Sequence, residues 1–280
     1  MDDTDYALGR TQAEYQRLIE QADILRPITE RMLLAAGIKP GVRVLDVGCG
    51  IGDVSFLVAT LVGPQGLVVG VYLDAEALKF ADERRAAQGI ANVEFRQSDA
   101  RSADSGGRLF DAAIGRLVLL YMNDPTEALR QIAERVRPGG IVAFQEPVMR
   151  NVVGAATRQP ALARLNNLLG ETFERSGARP YLGEELYWRM LDAGLEPHPK
   201  PFAEIPLGSA DLACGRWSVF AQNVLPKMVE YGLAAEKDIL DLLERLHREM
   251  IPARGLFPLT SLMVCQWARK PAGPASSATA

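Results

Sequence analysis

Ten residues carry the means to hold a charged small molecule: Val44–Asp53, reading VLDVGCGIGD. Asp46 supplies a carboxylate that only accepts hydrogen bonds when ionised. Gly48, Gly50 and Gly52 alternate behind it. Lacking Cβ, they let a turn take positive φ and bring bare backbone against a ligand. The apolar run Val42, Val44, Leu45, Val47 reads as a buried strand before the turn, and Val54, Phe56, Leu57, Val58 and Leu61 as a helix after it. A helix starting there aims unpaired N–H groups at whatever the turn holds. A dinucleotide turn has the spacing G-x-G-x-x-G or A. Counted from Gly48, the third site is Asp53, where a carboxylate would face a pyrophosphate. Asp46 ahead of the first glycine suits a zwitterionic or cationic ligand better. A nucleotide-binding turn of another kind is the competing reading.

The elements around this turn follow from periodicity and punctuation. Residues 11–36 read as a helix with Tyr15, Leu18, Ala22 and Leu25 on one face, broken or kinked at Pro27. Strand two is Leu67–Tyr72, followed by a helix from Ala75 to Gln88. Val93–Gln97 and Phe110–Gly115 are strands three and four. Asn123-Asp124-Pro125 opens a helix that runs to Val136 and stops at Arg137-Pro138-Gly139-Gly140. Strand five is Ile141–Gln145, with Glu146 just past its end. Strands alternating with helices predict an α/β fold with a parallel, doubly wound sheet, and such sheets bind ligands outside the carboxyl ends of their strands.

That rule sorts the remaining candidates. Residues 147–182 leave the carboxyl end of strand five and are long for a plain connection, with a helical stretch near Leu162–Arg175. Leu182–Ala193 is the next helix and Pro201–Leu207 strand six. Residues 208–258 then hold helical patterns near Asp211–Asn223, at Lys227–Tyr231 and at Glu236–Met250, and Thr260–Ala268 is the last strand. The segmentation is a helical cap over 1–40, a core over 41–146, a lid insertion over 147–182, more core over 183–207, a helical lid over 208–258, the last core strand over 259–269 and a disordered tail over 270–280. Glu146 and Tyr121 stand beyond strand ends and His247 on a lid helix, so these three are the acid–base candidates. Capping or lid anchoring is the plainer reading of Glu146, and surface or packing that of His247. His198 belongs to a connection at the opposite edge of the sheet. Trp217 and Tyr181 are lid aromatics that wall an apolar pocket or simply pack.

LDVGCGIGD resembles the first motif of the class I S-adenosylmethionine-dependent methyltransferases, and the likeness runs over Val42–Gln145. It implies a Rossmann-like, mostly parallel seven-stranded sheet with an antiparallel last strand. It implies S-adenosylmethionine as cofactor, held by Asp46, Gly48 and Gly50. Asp99 would meet the adenine amino group with the Ala100 N–H facing the ring. The backbone at Gly115, Arg116 and Leu117 would take the methionine amino group. Leu8, Arg10, Arg17 and Gln21 resemble a helix that covers the cofactor in small-molecule members, although a packing helix explains them as well. One position departs. The family ends strand two in an acidic residue that grips both ribose hydroxyls, and here that residue is Tyr72. Asp74 is close but better suited to capping the next helix. A charge-assisted hydrogen bond contributes about 1.5–3 kcal/mol, so losing two implies roughly a hundredfold weaker binding or more.

Composition narrows the partners. The net charge of −4 is small and mixed, and the lid has no basic cluster, which argues against nucleic acid. Three scattered cysteines, Cys49, Cys214 and Cys265, form neither a metal spacing nor a disulfide framework and fit a reducing cytoplasm. No apolar run reaches membrane-spanning length, and the acidic N-terminus lacks a signal-peptide core. A homodimer is left open. The expected activity is methyl transfer to oxygen, nitrogen or carbon of a small, largely apolar metabolite. Tyr72 motivates two alternatives: a protein of this fold that binds or cyclises a ligand without methyl transfer, and one that uses an altered cofactor.

Overall fold

The computed structural model describes residues 12–103, 107–150, 158–253 and 255–272. Leu8, Arg10 and most of the expected tail lie outside them. The chain forms two compact units. The first is made of Arg26–Glu146, Glu185–Phe202 and the segment beginning at Cys265; the second is made of the segment ending at Leu25, Pro147–Glu184 and Ala203–Val264. The long helix α1 (Gln12–Ala36) contributes residues to both.

The sheet gives the first unit its frame. Strands β1 (Arg43–Val47), β2 (Leu67–Tyr72), β3 (Val93–Gln97), β4 (Phe110–Arg116) and β5 (Val136–Val148) lie in the order β3-β2-β1-β4-β5, each pair parallel. Beyond β5 stand β10 (Leu262–Arg269) and β6 (Glu196–Pro197), paired antiparallel. The strand order reverses between β1 and β4, where Val47 pairs with Gly115, so their carboxyl ends open side by side. Phe110, Ile114, Phe144 and Leu45 are fully buried at the centre.

Local chemistry sets the helix ends. After α2 (Asp53–Val62), Gly63 takes φ 65° and returns its N–H to the Ala59 carbonyl at 3.1 Å. Asp74 caps α3 (Ala75–Ala87), accepting from the amides of Glu76 and Ala77 at 2.9 and 3.0 Å. Asp124 caps α4 (Pro125–Glu134), whose first residue is the expected proline.

The second unit is helical. α5 (Pro160–Arg175), α7 (Ala210–Glu230) and α8 (Glu236–Met250) pack on one another beside a short ribbon of β8 (Leu207–Gly208) and β9 (Phe257–Pro258). α8 buries Ile239, Leu243, Leu246 and Met250, the face its periodicity predicts, and Leu242 besides.

Several boundaries differ from expectation. Pro27 does not break α1, and Pro226 lies inside one continuous α7 where two helices are expected. Both prolines are exposed, as are Asp23 and Gln222 one turn earlier, so water can serve the carbonyls they cannot. α4 ends at Glu134 and β5 begins at Val136, because Val136 pairs with Phe110 across a bulge. A Cβ on Gly140 would stand 2.4 Å from Val136 Cγ1, so the glycines accommodate the bulge rather than ending the element. Glu146 consequently lies within β5, not past it. Where one strand is expected over Pro201–Leu207 stand β7 (Phe202–Glu204), which pairs with β10, and the first residue of β8, and the edge strand β6 lies ahead of that stretch. Pro197, Pro199, Pro201 and Pro206 each remove a ladder donor there. The helix expected over Leu182–Ala193 is a 3₁₀ turn, Leu182–Glu184, followed by α6 (Leu186–Asp192).

Candidate active site

The site belongs to the first unit and begins at the turn between β1 and α2. Gly48, Gly50 and Gly52 take φ of 69°, 53° and 91°, conformations that glycine alone adopts without strain. Their surroundings separate their roles. A Cβ on Gly48 would lie 2.4 Å from Val118 Cγ2, and one on Gly52 would lie 2.8 Å from both Phe56 and Phe95. A Cβ on Gly50 would meet nothing within 4 Å. Gly48 and Gly52 therefore admit neighbouring side chains, and Gly50 alone bares its backbone to open space.

Asp46 lies beneath this turn, 1% exposed, and accepts from the Ser55 hydroxyl at 2.6 Å. Burial pushes its carboxyl up to about 7, against the pull of Ser55 and of Arg116. A cation brought beside it would restore the ionised form. The turn is held from outside by Arg84 of α3, which donates to the Ile51 carbonyl and to Asp53 Oδ1, both at 2.7 Å.

A second turn follows β4. Leu117 has φ 55°, positive for a residue with a branched side chain. Its N–H bonds the Gln145 carbonyl at 2.9 Å. Glu146, fully buried, receives the next three amides: Val118 at 3.1 Å and Leu119 at 2.9 Å on Oε1, and Leu120 at 3.4 Å on Oε2. Burial raises its carboxyl to about 7 despite those amides. The carboxylate thus anchors a strained turn at the mouth of the β1/β4 crevice. Tyr121, half-buried, ends the 3₁₀ turn Leu119–Tyr121 that Glu146 holds.

Across the sheet, Tyr72 stands half-buried at the end of β2, paired with Gln97. Asp99 caps the 3₁₀ turn Ala100–Ser102 and accepts from Arg101 through both its backbone amide and its Nε at 2.9 Å. That side-chain bond holds the Asp99 carboxyl below its ordinary value. Ala100 is buried beside it.

The strand ends therefore bring Asp46, Gly48, Gly50, Tyr72, Asp99, Ala100, Gly115, Arg116, Tyr121 and Glu146 to one edge of the first unit. Gln21 and His247 belong to the second. Gln21 is half-buried on α1; His247 is exposed on α8, its Nδ1 2.9 Å from the Leu243 carbonyl. Trp217 is buried and donates to the Pro258 carbonyl at 2.8 Å, and Tyr181 lies under Arg150, 4.2 Å from ring centre to guanidinium carbon. His198 stacks on Trp267 at 4.6 Å. Among the described residues no group of histidine, cysteine or acidic side chains could hold a metal ion. Arg84, Thr29 and Gln145 escape sequence reasoning because their partners lie far away in the chain, and Ser55, nine residues from Asp46, because no spacing rule pairs a strand with the helix that follows it.

These features fit a sulfonium cofactor with an amino-acid tail. Open backbone at Gly50 admits its close approach, and the Asp46 carboxylate suits its positive charge.

Residues 38–188 match the model of a methyltransferase domain. The aklanonic acid methyltransferase DauC of Streptomyces sp. (strain C5) is 31% identical over 156 residues, 54% of this chain and 70% of that protein. The ubiquinone/menaquinone biosynthesis C-methyltransferase UbiE of Ectopseudomonas mendocina is 28% identical over 59% of this chain and 62% of its own. The crystal structure of the [4+2]-cyclase SpnF superimposes with a TM-score of 0.53 at 24% identity, covering 88% of this chain and 81% of that one, a likeness of fold. The chain belongs to the methyltransferase-domain family, an enzyme family with a Rossmann-like sheet whose methyl donor is S-adenosylmethionine.

Proposed function

We propose that the chain transfers a methyl group to an oxygen, nitrogen or carbon atom of a small, largely apolar metabolite. The observation that carries this reading is the pairing of an open glycine, Gly50, with the buried carboxylate of Asp46 at the point where the strand order reverses. When bound, S-adenosylmethionine supplies an activated methyl group on sulfur. Asp46, Gly48 and Gly50 would hold its charged and polar parts. Asp99 and Ala100 would meet the adenine, Tyr72 the ribose, and the Gly115–Leu117 backbone the amino group. Glu146 serves this site by fixing the Val118–Leu120 backbone, a positioning role in place of the expected acid–base one. Tyr121 remains a candidate for touching an acceptor, as does His247, and Gln21 remains a candidate for the cofactor.

The similarity to DauC, named for aklanonic acid, and to UbiE, named for ubiquinone and menaquinone biosynthesis, supports an acceptor with a large apolar surface. The test has two arms. Calorimetric titration with S-adenosylmethionine comes first, after mass spectrometry for co-purified nucleoside. Incubation with labelled S-adenosylmethionine and a panel of aromatic and quinone acceptors follows. Micromolar binding with label transfer supports the reading.

One observation favours a second reading, a protein of this fold that binds or cyclises its ligand without methyl transfer. It is a tyrosine, Tyr72, at the end of β2, where the resemblance implies a ribose-binding acid. Binding without transfer to any acceptor would favour this alternative; no binding by a folded chain would count against both the donor and the methyl-transfer reading.

A further inference from the structure

Arg116 immediately follows Gly115 at the carboxyl end of β4. It is a poor fit for a purely structural arginine. Among the described residues its one hydrogen bond is from Nη1 to Thr29 Oγ1, at 3.3 Å. No carboxylate of the described residues lies close enough to pair with it. The two that act on it from a distance, Asp53 and Asp46, are engaged elsewhere: Asp53 with Arg84 at 2.7 Å, Asp46 with Ser55 at 2.6 Å. The remaining nitrogens are not sealed in the interior, unlike Arg135 Nε and Gln145 Nε2.

The guanidinium is nevertheless held. Thr29 Oγ1 donates onward to Gln145 Oε1 at 2.7 Å, and Gln145 is the register partner of Arg116 across β4 and β5. A relay of Arg116, Thr29 and Gln145 thus fixes a guanidinium at the crevice while leaving its other donors available. Such a fork matches a planar carboxylate by two parallel hydrogen bonds.

We propose that the Arg116 side chain binds the α-carboxylate of the cofactor's amino-acid tail. The inference rests on the S-adenosylmethionine reading above and adds to it. Backbone carbonyls near Gly115 and the Asp46 carboxylate suit the positive groups of the ligand, and none of them can serve its negative one. Among the described residues, Arg116 offers at that edge a cation with donors that the protein leaves unengaged.

The experiment deletes each partner in turn. S-adenosylhomocysteine and its decarboxylated analogue are titrated calorimetrically into the wild-type chain, Arg116→Gln and Arg116→Lys, with circular dichroism confirming the fold. The expected result is that the wild type prefers S-adenosylhomocysteine by roughly tenfold to a hundredfold. Arg116→Gln erases the preference by losing affinity for S-adenosylhomocysteine alone, and Arg116→Lys keeps part of it. Equal weakening of both ligands in Arg116→Gln, or no change in either, overturns the assignment. So does a wild type that binds both ligands equally, a result that needs no variant. A folded wild-type chain that binds neither ligand overturns the cofactor reading itself, and the assignment with it.

Discussion

Gly48 and Val118 interlock: the glycine ahead of α2 leaves the space that Val118, in the turn after β4, occupies, and a Cβ there would stand 2.4 Å from Val118 Cγ2. The two turns that frame the crevice are therefore packed against each other at one glycine and open at the next. Gly48→Ala should destabilise the fold by about 1–3 kcal/mol through overpacking and positive φ. Gly50→Ala meets no atom and should cost only about 1 kcal/mol from its φ, yet weaken cofactor binding at least tenfold because its methyl group points into open space. Thermal melts beside S-adenosylhomocysteine titrations separate the two. Indistinguishable profiles for the variants would refute this division of labour.

The two buried carboxyls give a pH dependence with a defined sign. Glu146 rises from an ordinary 4.5 and Asp46 from 3.8, both to about 7. A raised carboxyl binds its proton more tightly in the folded chain than in the unfolded one. Stability from these groups is therefore fully present below about pH 4 and is lost as pH rises to about 7, on the order of 3 kcal/mol for each. The lowered carboxyls, Asp99, Asp111 and Asp124, act in the opposite sense at lower pH. Denaturant melts of the free protein between pH 5 and 7.5 should show stability falling. In Glu146→Gln the fall should be about half as steep, since the amide does not titrate. An unchanged slope in that variant would remove Glu146 from the account.

Tyr72 offers a test of the proposed ribose contact. Tyr72→Asp places a bidentate acceptor at the end of β2, where a tyrosine hydroxyl cannot supply one. Asp74 is engaged by the amides of Glu76 and Ala77 and caps α3 in place of serving there. The variant should bind S-adenosylmethionine tenfold tighter or better by calorimetry if the tyrosine is a tolerated weakness. Weaker binding in the variant would mean that Tyr72 makes a contact of its own with the ligand.

The sheet and its glycine turn are legible in the sequence because their signals are local. Val42, Val44, Leu45 and Val47 form a short apolar run, Asp74 and Asp124 announce helix starts, and α8 displays its buried face at a spacing of three and four. The misread boundaries have nonlocal causes. Pro138-Gly139-Gly140 looks like a full stop until Val136 finds Phe110, and Pro27 looks like a break until its helix is seen to face water there. The site shows the same divide. Asp46 and the glycines lie within one short stretch, whereas Glu146 is bound by amides 26 to 28 residues earlier and Thr29 reaches Gln145 across 116 residues. No spacing rule reports such bonds.

Arg84 and Asp53 are 31 residues apart and meet at 2.7 Å. Their bond, with that from Arg84 to the Ile51 carbonyl at 2.7 Å, ties α3 to the cofactor turn. Both side chains are mostly shielded, 18% and 16% exposed, so the pair is less screened than a surface bridge. The carbonyl matters as much as the carboxylate, because Ile51 sits between Gly50 and Gly52 and its orientation sets theirs. Arg84→Met keeps the aliphatic stem and loses both bonds, with an expected cost of about 1–3 kcal/mol and several-fold weaker binding of S-adenosylhomocysteine. Arg84→Lys should recover only part, since an ammonium cannot span both acceptors in the geometry of a guanidinium. Asp53→Asn removes one bond and leaves the other. If Arg84 acts as a clamp, Arg84→Met combined with Asp53→Asn should destabilise by clearly less than the sum of the single changes in a double-mutant cycle. Additive effects, with unchanged cofactor affinity in both single variants, would show that the turn holds its shape without Arg84.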